Sequence, residues 1–116
     1  MNYNMLLQKF INSDGTVHNY LNSALHEIEF NCTEGEQSNY INDFGACDRA
    51  LKSVLPGATW KLTFNGINYE FTASDAGYPP WTTTTGKTPE LAVIHMIIKY
   101  LATHEIDIKV ADNYSY

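Results

Sequence analysis

Positive charge is what this chain has least of. Seven Lys and Arg stand against thirteen Asp and Glu, a formal net charge of -6 over 116 residues. Direct nucleic-acid binding, which needs basic side chains to displace phosphate counterions, is therefore not expected. The acids are scattered, with Glu34 and Glu36 the nearest approach to a cluster, so the dense carboxylate runs of a DNA mimic are missing too. The only two cysteines, Cys32 and Cys47, lack C-x-x-C spacing and a neighbouring histidine pair, which argues against a redox motif or a metal site and for two reduced core thiols. His18, His26, His95 and His104 include no i, i+4 pair that would aim two imidazoles at one metal. There is no G-x-S-x-G elbow and no cysteine with basic company at a helix start, so the expectation is a non-enzyme without a cofactor. No basic-then-apolar leader and no apolar run near the ~18 residues of a membrane span occur, which points to the cytoplasm of the cell that makes the protein.

What is present is a good supply of apolar and ring-bearing residues: 44% hydrophobic, 13% aromatic, with eight tyrosines. Such a chain can offset its ordering entropy with one core, so residues 1–116 are expected to form a single domain, its core spanning about 17–102. Met5 to Ile11 is a short amphipathic segment stopped by Asn12-Ser13-Asp14-Gly15. Val17, Tyr20, Leu21, Ala24, Leu25 and Ile28 fall three and four apart, the spacing of one helix face. Residues 31–39 are polar and aperiodic, a surface loop. A second helix carries Phe44, Cys47, Leu51 and Val54/Leu55, is capped by Asn42 or Asp43, and stops at Pro56-Gly57.

The sharpest local signal is Trp60-Lys61-Leu62-Thr63-Phe64, then Asn65-Gly66, then Ile67-Asn68-Tyr69-Glu70-Phe71. Asn-Gly suits a two-residue type I′ turn and both arms alternate, so the spacing predicts an antiparallel hairpin with Trp60, Leu62, Phe64, Ile67, Tyr69 and Phe71 on one face, covered by helices. Residues 74–87 have no period and read as a long loop. Thr88-Pro89-Glu90 opens a helix by a hydroxyl cap, a proline at the first helical position and a carboxylate at the dipole's positive end. Leu91, Ile94, Ile97/Ile98 and Leu101 carry it to about Thr103, after which 103–116 are expected to be a short strand, centred on Ile106-Asp107-Ile108-Lys109-Val110, or a tail. The fold class is thus α+β: an antiparallel sheet built around a central hairpin and packed by about three α-helices, α/β/α sandwich-like.

Two surfaces stand out as candidate sites. Tyr78-Pro79-Pro80-Trp81 offers exposed rings on a stiffened loop, and with Asp75, Glu34 and Glu36 it makes an acidic, aromatic partner-binding surface. Thr84-Thr85-Gly86-Lys87-Thr88 ends like a Walker A loop but has Trp81 where the upstream glycine belongs. What remains of that match is an anion contact at Lys87 and Thr88 beside a helix amino terminus.

The order of a Pro-Gly-ended helix, a Trp-led hairpin and a Thr-Pro helix, carried by Tyr40, Asp48, Ala50, Leu51, Val54, Pro56, Gly57, Trp60, Thr88, Pro89, Leu91, Ala92 and Ile94, resembles the phage ABA sandwich domain over residues 17–102. The chain departs from that family at His95 and the Met96-Ile97-Ile98 run, where the family often has a cysteine and alanines. The resemblance implies a phage source and helices packed on an antiparallel sheet, and it carries over no catalytic residue. Together with the small size and acidity it suggests a phage accessory protein that binds a host protein, such as a nucleic-acid-processing defence complex, in the manner of an anti-CRISPR inhibitor. A nucleotide-sequestering protein and a virion or assembly component are the alternatives, and a dimer is compatible with any of them.

Overall fold

A computed structural model describes residues 2–12, 20–74 and 83–114, with side chains described through Thr103. In chain order the elements are helix α1 (Tyr3–Asn12), helix α2 (Tyr20–Phe30), a 3₁₀ turn (Tyr40–Asn42), helix α3 (Phe44–Val54), strands β1 (Thr59–Phe64), β2 (Tyr69–Ser74) and β3 (Thr83–Gly86), and helix α4 (Pro89–Tyr114). The sheet is antiparallel in the order β1-β2-β3, so β2 is central. The α+β architecture around a hairpin is as the alternation implies, with α1 added as a helix of its own.

The helices start where capping chemistry places them. Asp43 accepts from the Ala46 amide at 3.2 Å to cap α3, and the Thr88 hydroxyl accepts from Leu91 N at 3.1 Å to cap α4. Each satisfies an amide that the helix itself leaves without a partner. Ala92, Val93, Ile94, Met96, Ile97 and Ile98 are all buried, so α4 is wrapped on most sides by α1, α3, β2 and β3. Around it gather Leu21 and Leu25 of α2, Tyr40, Cys47, Ala50 and Leu51, and Phe71 and Ala73 of β2. Helix α4 packs on β2 and β3, and α3 reaches β1 through Phe44 and Trp60, on one face of the sheet, with α1 and α2 packed on those helices. The other face is Thr59, Lys61, Thr63, Glu70, Thr72, Ser74, Thr83 and Thr85, with nothing apolar for a second helix layer. Cross-strand hydroxyl pairs tie it instead, Thr59 to Ser74 at 3.1 Å and Thr72 to Thr83 at 2.8 Å.

Three expectations are corrected. The loop expected over 74–87 contains strand β3: Thr83 to Gly86 pairs with Thr72 to Tyr69. Threonine is β-branched and suits a pleated surface, but four in a row carry no apolar contrast, so the alternation of exposed Thr83, buried Thr84 and exposed Thr85 leaves no trace in the residue types. The strand expected at 106–110 is instead the continuation of α4. No proline or glycine follows Thr103 to stop the helix, and extending an existing helix is easier than starting a new element.

The hairpin turn is also longer than two residues. Phe64 pairs with Tyr69, and residues 65–68 form the connection. A type I′ turn needs positive φ at both central residues, whereas here Gly66 has φ +94° and Asn65 is not in the left-handed region. Asn65 Oδ1 instead accepts from the amides of Ile67 at 2.9 Å and Asn68 at 2.8 Å, an Asx-type turn. The register slips by two residues, which preserves the faces, but Ile67 leaves the sheet for the turn.

Gly86 positions the sheet against α4. A Cβ on it would lie 2.4 Å from Ala92 N and 2.7 Å from the Leu91 carbonyl carbon. Two residues earlier the buried Thr84 hydroxyl donates to the Ala92 carbonyl at 2.9 Å. The end of β3 is therefore pressed backbone to backbone on the first turns of α4.

Candidate protein-interaction surface

Cover on the hairpin's apolar face falls away from β2 to β1. Phe71 and Ala73 of β2 are buried and Tyr69 half-buried, whereas Trp60, opposite Ala73, is 42% exposed, Phe64, opposite Tyr69, 58%, and Ile67 in the turn 81%. Leu62 is half-buried between them. The expectation that helices cover the whole ribbon therefore fails at β1. Alternation along a strand tells which side chains share a face, while the sheet order and helix placement decide whether that face is covered.

The two rings are braced by aromatic neighbours. Trp60 meets Phe44 of α3 edge-on, centroids 5.5 Å apart, and Phe71 at 5.6 Å. Phe64 lies 4.8 Å from its cross-strand partner Tyr69. Pairs of this geometry contribute about 0.5–1.5 kcal/mol beyond area burial, so the rings are fixed in place while their outer surfaces stay open. Beside the strip runs the outer edge of β1, with which no strand pairs among the described residues. Asn65 N donates to Asn68 O at 3.1 Å. Counting back along the strand, Thr63, Lys61 and Thr59 turn their backbone groups to β2, while Phe64, Leu62 and Trp60 turn theirs outward. The edge carries no proline, and its one charge, Lys61, lies on the polar face away from the rings.

Among the described residues, none of those singled out from sequence lies on this strip. Asp75, Tyr78 and Trp81 lie outside the described residues. Glu34 and Glu36 are exposed on the 31–39 loop, which hangs on α2 through His26 Nε2 to Glu34 O at 2.6 Å and Gln37 Nε2 to Ser23 Oγ at 3.0 Å. Lys87 is exposed, but the Thr88 hydroxyl is engaged in the α4 cap and Gly86 serves the close approach to Ala92.

The remaining chemistry-bearing groups are built into the core. His95 lies on Phe10, centroids 5.0 Å apart, with Nδ1 3.0 Å from Thr85 O, and burial lowers its pKa. The Cys47 thiol donates to Tyr40 O at 3.0 Å and is pushed up to about 12 by burial, then by Glu90 and Asp43, which makes it a poor nucleophile. Cys32 is exposed, so the reading of both cysteines as core thiols holds for Cys47 alone. No group of three or more His, Cys, Asp or Glu placed to hold a metal occurs among the described residues.

One arrangement has no signature in the sequence. Buried Tyr40 donates to Glu29 Oε1 at 2.6 Å, Arg49 Nε pairs with Glu29 Oε2, and an Arg49 Nη donates to Ser38 Oγ at 2.9 Å. Burial and the Glu29 hydrogen bond raise the Tyr40 phenol to about 12. The cluster ties α2, the 3₁₀ turn and α3 together through charge-assisted bonds.

The chain matches no protein-family model, no curated protein and no solved structure. No helix among the described residues is long and apolar enough to cross a membrane.

Proposed function

We propose that this protein is a stoichiometric binder of another protein, with the Trp60–Phe64–Ile67 strip and the adjoining edge of β1 as its contact surface. The observation that carries this reading is the strip itself: large rings braced by aromatic neighbours, exposed outward, and set beside backbone groups that no described strand pairs. Aromatic anchors of this kind supply most of the energy of protein interfaces. A net charge of -6 suits a basic partner, because complementary charge speeds encounter while buried rings slow release. In a phage accessory protein, the source that the family resemblance suggests, the fitting partner is a host nucleic-acid-processing defence complex, blocked in the anti-CRISPR manner at its basic channel.

The test uses purified RNA-guided nuclease complexes from the host, with interferometry for binding and target cleavage for inhibition. Wild type is expected to inhibit at one copy per complex. The double variant Phe64→Ser/Ile67→Ser, altered only at well-exposed side chains, is expected to bind at least about 100-fold more weakly. Inhibition unchanged in that variant would remove the strip from the interface. Absence of binding by wild type would remove this class of partner.

A further inference from the structure

We infer that β1 pairs antiparallel with β1 of a second copy of this chain, about a two-fold axis through Leu62, joining the two three-stranded sheets into one. This goes beyond binding of a host protein and does not depend on it.

The outward-facing backbone groups of β1 belong to Trp60, Leu62 and Phe64, as the Asn65 to Asn68 hydrogen bond sets the parity. A dyad at Leu62 places Leu62 opposite Leu62, and Trp60 opposite Phe64 in both directions. Every outward amide and carbonyl of the strand then finds a partner. A dyad at Lys61 sets two lysines face to face and pushes Phe64 against residue 58, outside the strand. A dyad at Thr63 pushes Trp60 against the turn at Gly66. The strand thus reads the same from both ends about Leu62, ring, leucine, ring, and that is the self-complementarity a two-fold interface requires.

The polar face agrees. With the axis at Leu62, Lys61 lies opposite the second copy's Thr63, whose own neighbour on β2 is Glu70. Adjacent strands are about 4.8 Å apart, so Lys61 and the second copy's Glu70 stand about 10 Å apart at Cα across a short threonine, within the combined reach of their side chains. The same complementary pair occurs twice by symmetry. On the apolar face Trp60 of each copy comes beside Phe64 of the other. With aromatic side chains of about 150–250 Å², their exposed fractions amount to roughly 200 Å² per copy, of which only the part facing the second copy is buried. Adding the strand edges, Leu62 and the turn bearing Ile67 leaves the interface below the standard of about 800 Å² per partner, so a reversible micromolar dimer is expected. Strand pairing at the edge leaves the outer faces of the rings open, and two copies present one doubled apolar strip.

The test is sedimentation equilibrium of the full chain from about 5 to about 500 µM, where mass action moves a reversible dimer through its midpoint. Wild type is expected to pass from monomer to dimer. Thr63→Lys, on the exposed polar face, sets lysines opposite Lys61 twice and is expected to weaken the dimer about tenfold, less so at high salt. In a Cys32→Ser background, oxidising a mixture of Lys61→Cys and Thr63→Cys chains is expected to give mixed disulfide dimers in preference to like ones. A monomer at every concentration overturns the inference, as does a dimer that neither Thr63→Lys weakens nor the mixed cysteines trap. The dimer uses the same edge as the proposed host contact, and Thr63→Lys changes neither ring of the strip nor a backbone group of that edge, so weakened dimerisation with host binding kept or strengthened separates the two proposals.

Discussion

Replacing Gly86 by alanine adds one methyl group, and that methyl falls on backbone. It would sit 2.4 Å from Ala92 N, 2.7 Å from the Leu91 carbonyl carbon and 2.9 Å from Ala92 Cα. Side-chain rotation cannot relieve the overlap, so β3 and α4 must part by roughly 1 Å, and tight interiors resist such shifts. Overpacking of this kind costs about 1–3 kcal/mol. The same movement stretches the buried bond from Thr84 Oγ1 to Ala92 O, adding about 1–3 kcal/mol if the groups are left unsatisfied. The expected loss of about 2–6 kcal/mol is a large part of the roughly 5–15 kcal/mol of a typical domain. Urea titration would show it as a lower midpoint at unchanged m-value. The sign is decisive. The φ of Gly86 is not in the left-handed region that favours glycine, so by backbone entropy alone Gly→Ala should stabilise by about 0.4–1 kcal/mol. A neutral or stabilising Gly86→Ala would refute the close approach of β3 to α4.

His95 should titrate below the ordinary histidine value because burial disfavours its charged form. A lowered folded pKa gives stability that is full above the unfolded value near 6.5 and is lost as pH falls through the folded one, so imidazole NMR and a pH series of unfolding curves should move together on the acid side. For Tyr40, raised to about 12, the sign is opposite: stability present below about pH 10 should decline as pH rises towards 12, and the Tyr40→Phe variant should lack that component in the same unfolding assay. Asn65→Ala removes both Asx-turn bonds and is expected to cost about 1–2 kcal/mol by denaturant titration while leaving the cross-strand contacts from Phe64 to Tyr69 in nuclear Overhauser spectra.

Much of the fold could be read locally. The apolar spacing of α2 and α3, the Asp43 cap and the Thr88-Pro89-Glu90 helix start all express interactions within a few residues. The hairpin's faces were legible for the same reason, and survived a register slip of two because side chains alternate with period two. What depended on distant partners was hidden. Strand β3 exists because β2 offers it an edge, and four threonines give no burial contrast to reveal it. Gly86, which resembles part of a phosphate loop in the sequence, is explained by Ala92, a residue of the next helix. The site was the least legible part. Trp60 and Phe64 have the alternation of core residues, and they stay open because β1 is the edge strand, a matter of sheet order. Tyr78 and Trp81, chosen for their rings, lie outside the described residues, and the proposed contact surface is the strip on β1.

The whole account rests on β1 being an open edge with its rings uncovered. Residue-resolved amide exchange on the free monomer at low micromolar concentration tests this directly. The amides of Leu62 and Phe64, turned away from β2, should exchange rapidly, and those of Lys61 and Thr63, turned towards it, slowly. Uniformly slow exchange along the strand in the monomer would mean that something already covers that edge, and would contradict both the binding surface and the two-fold pairing.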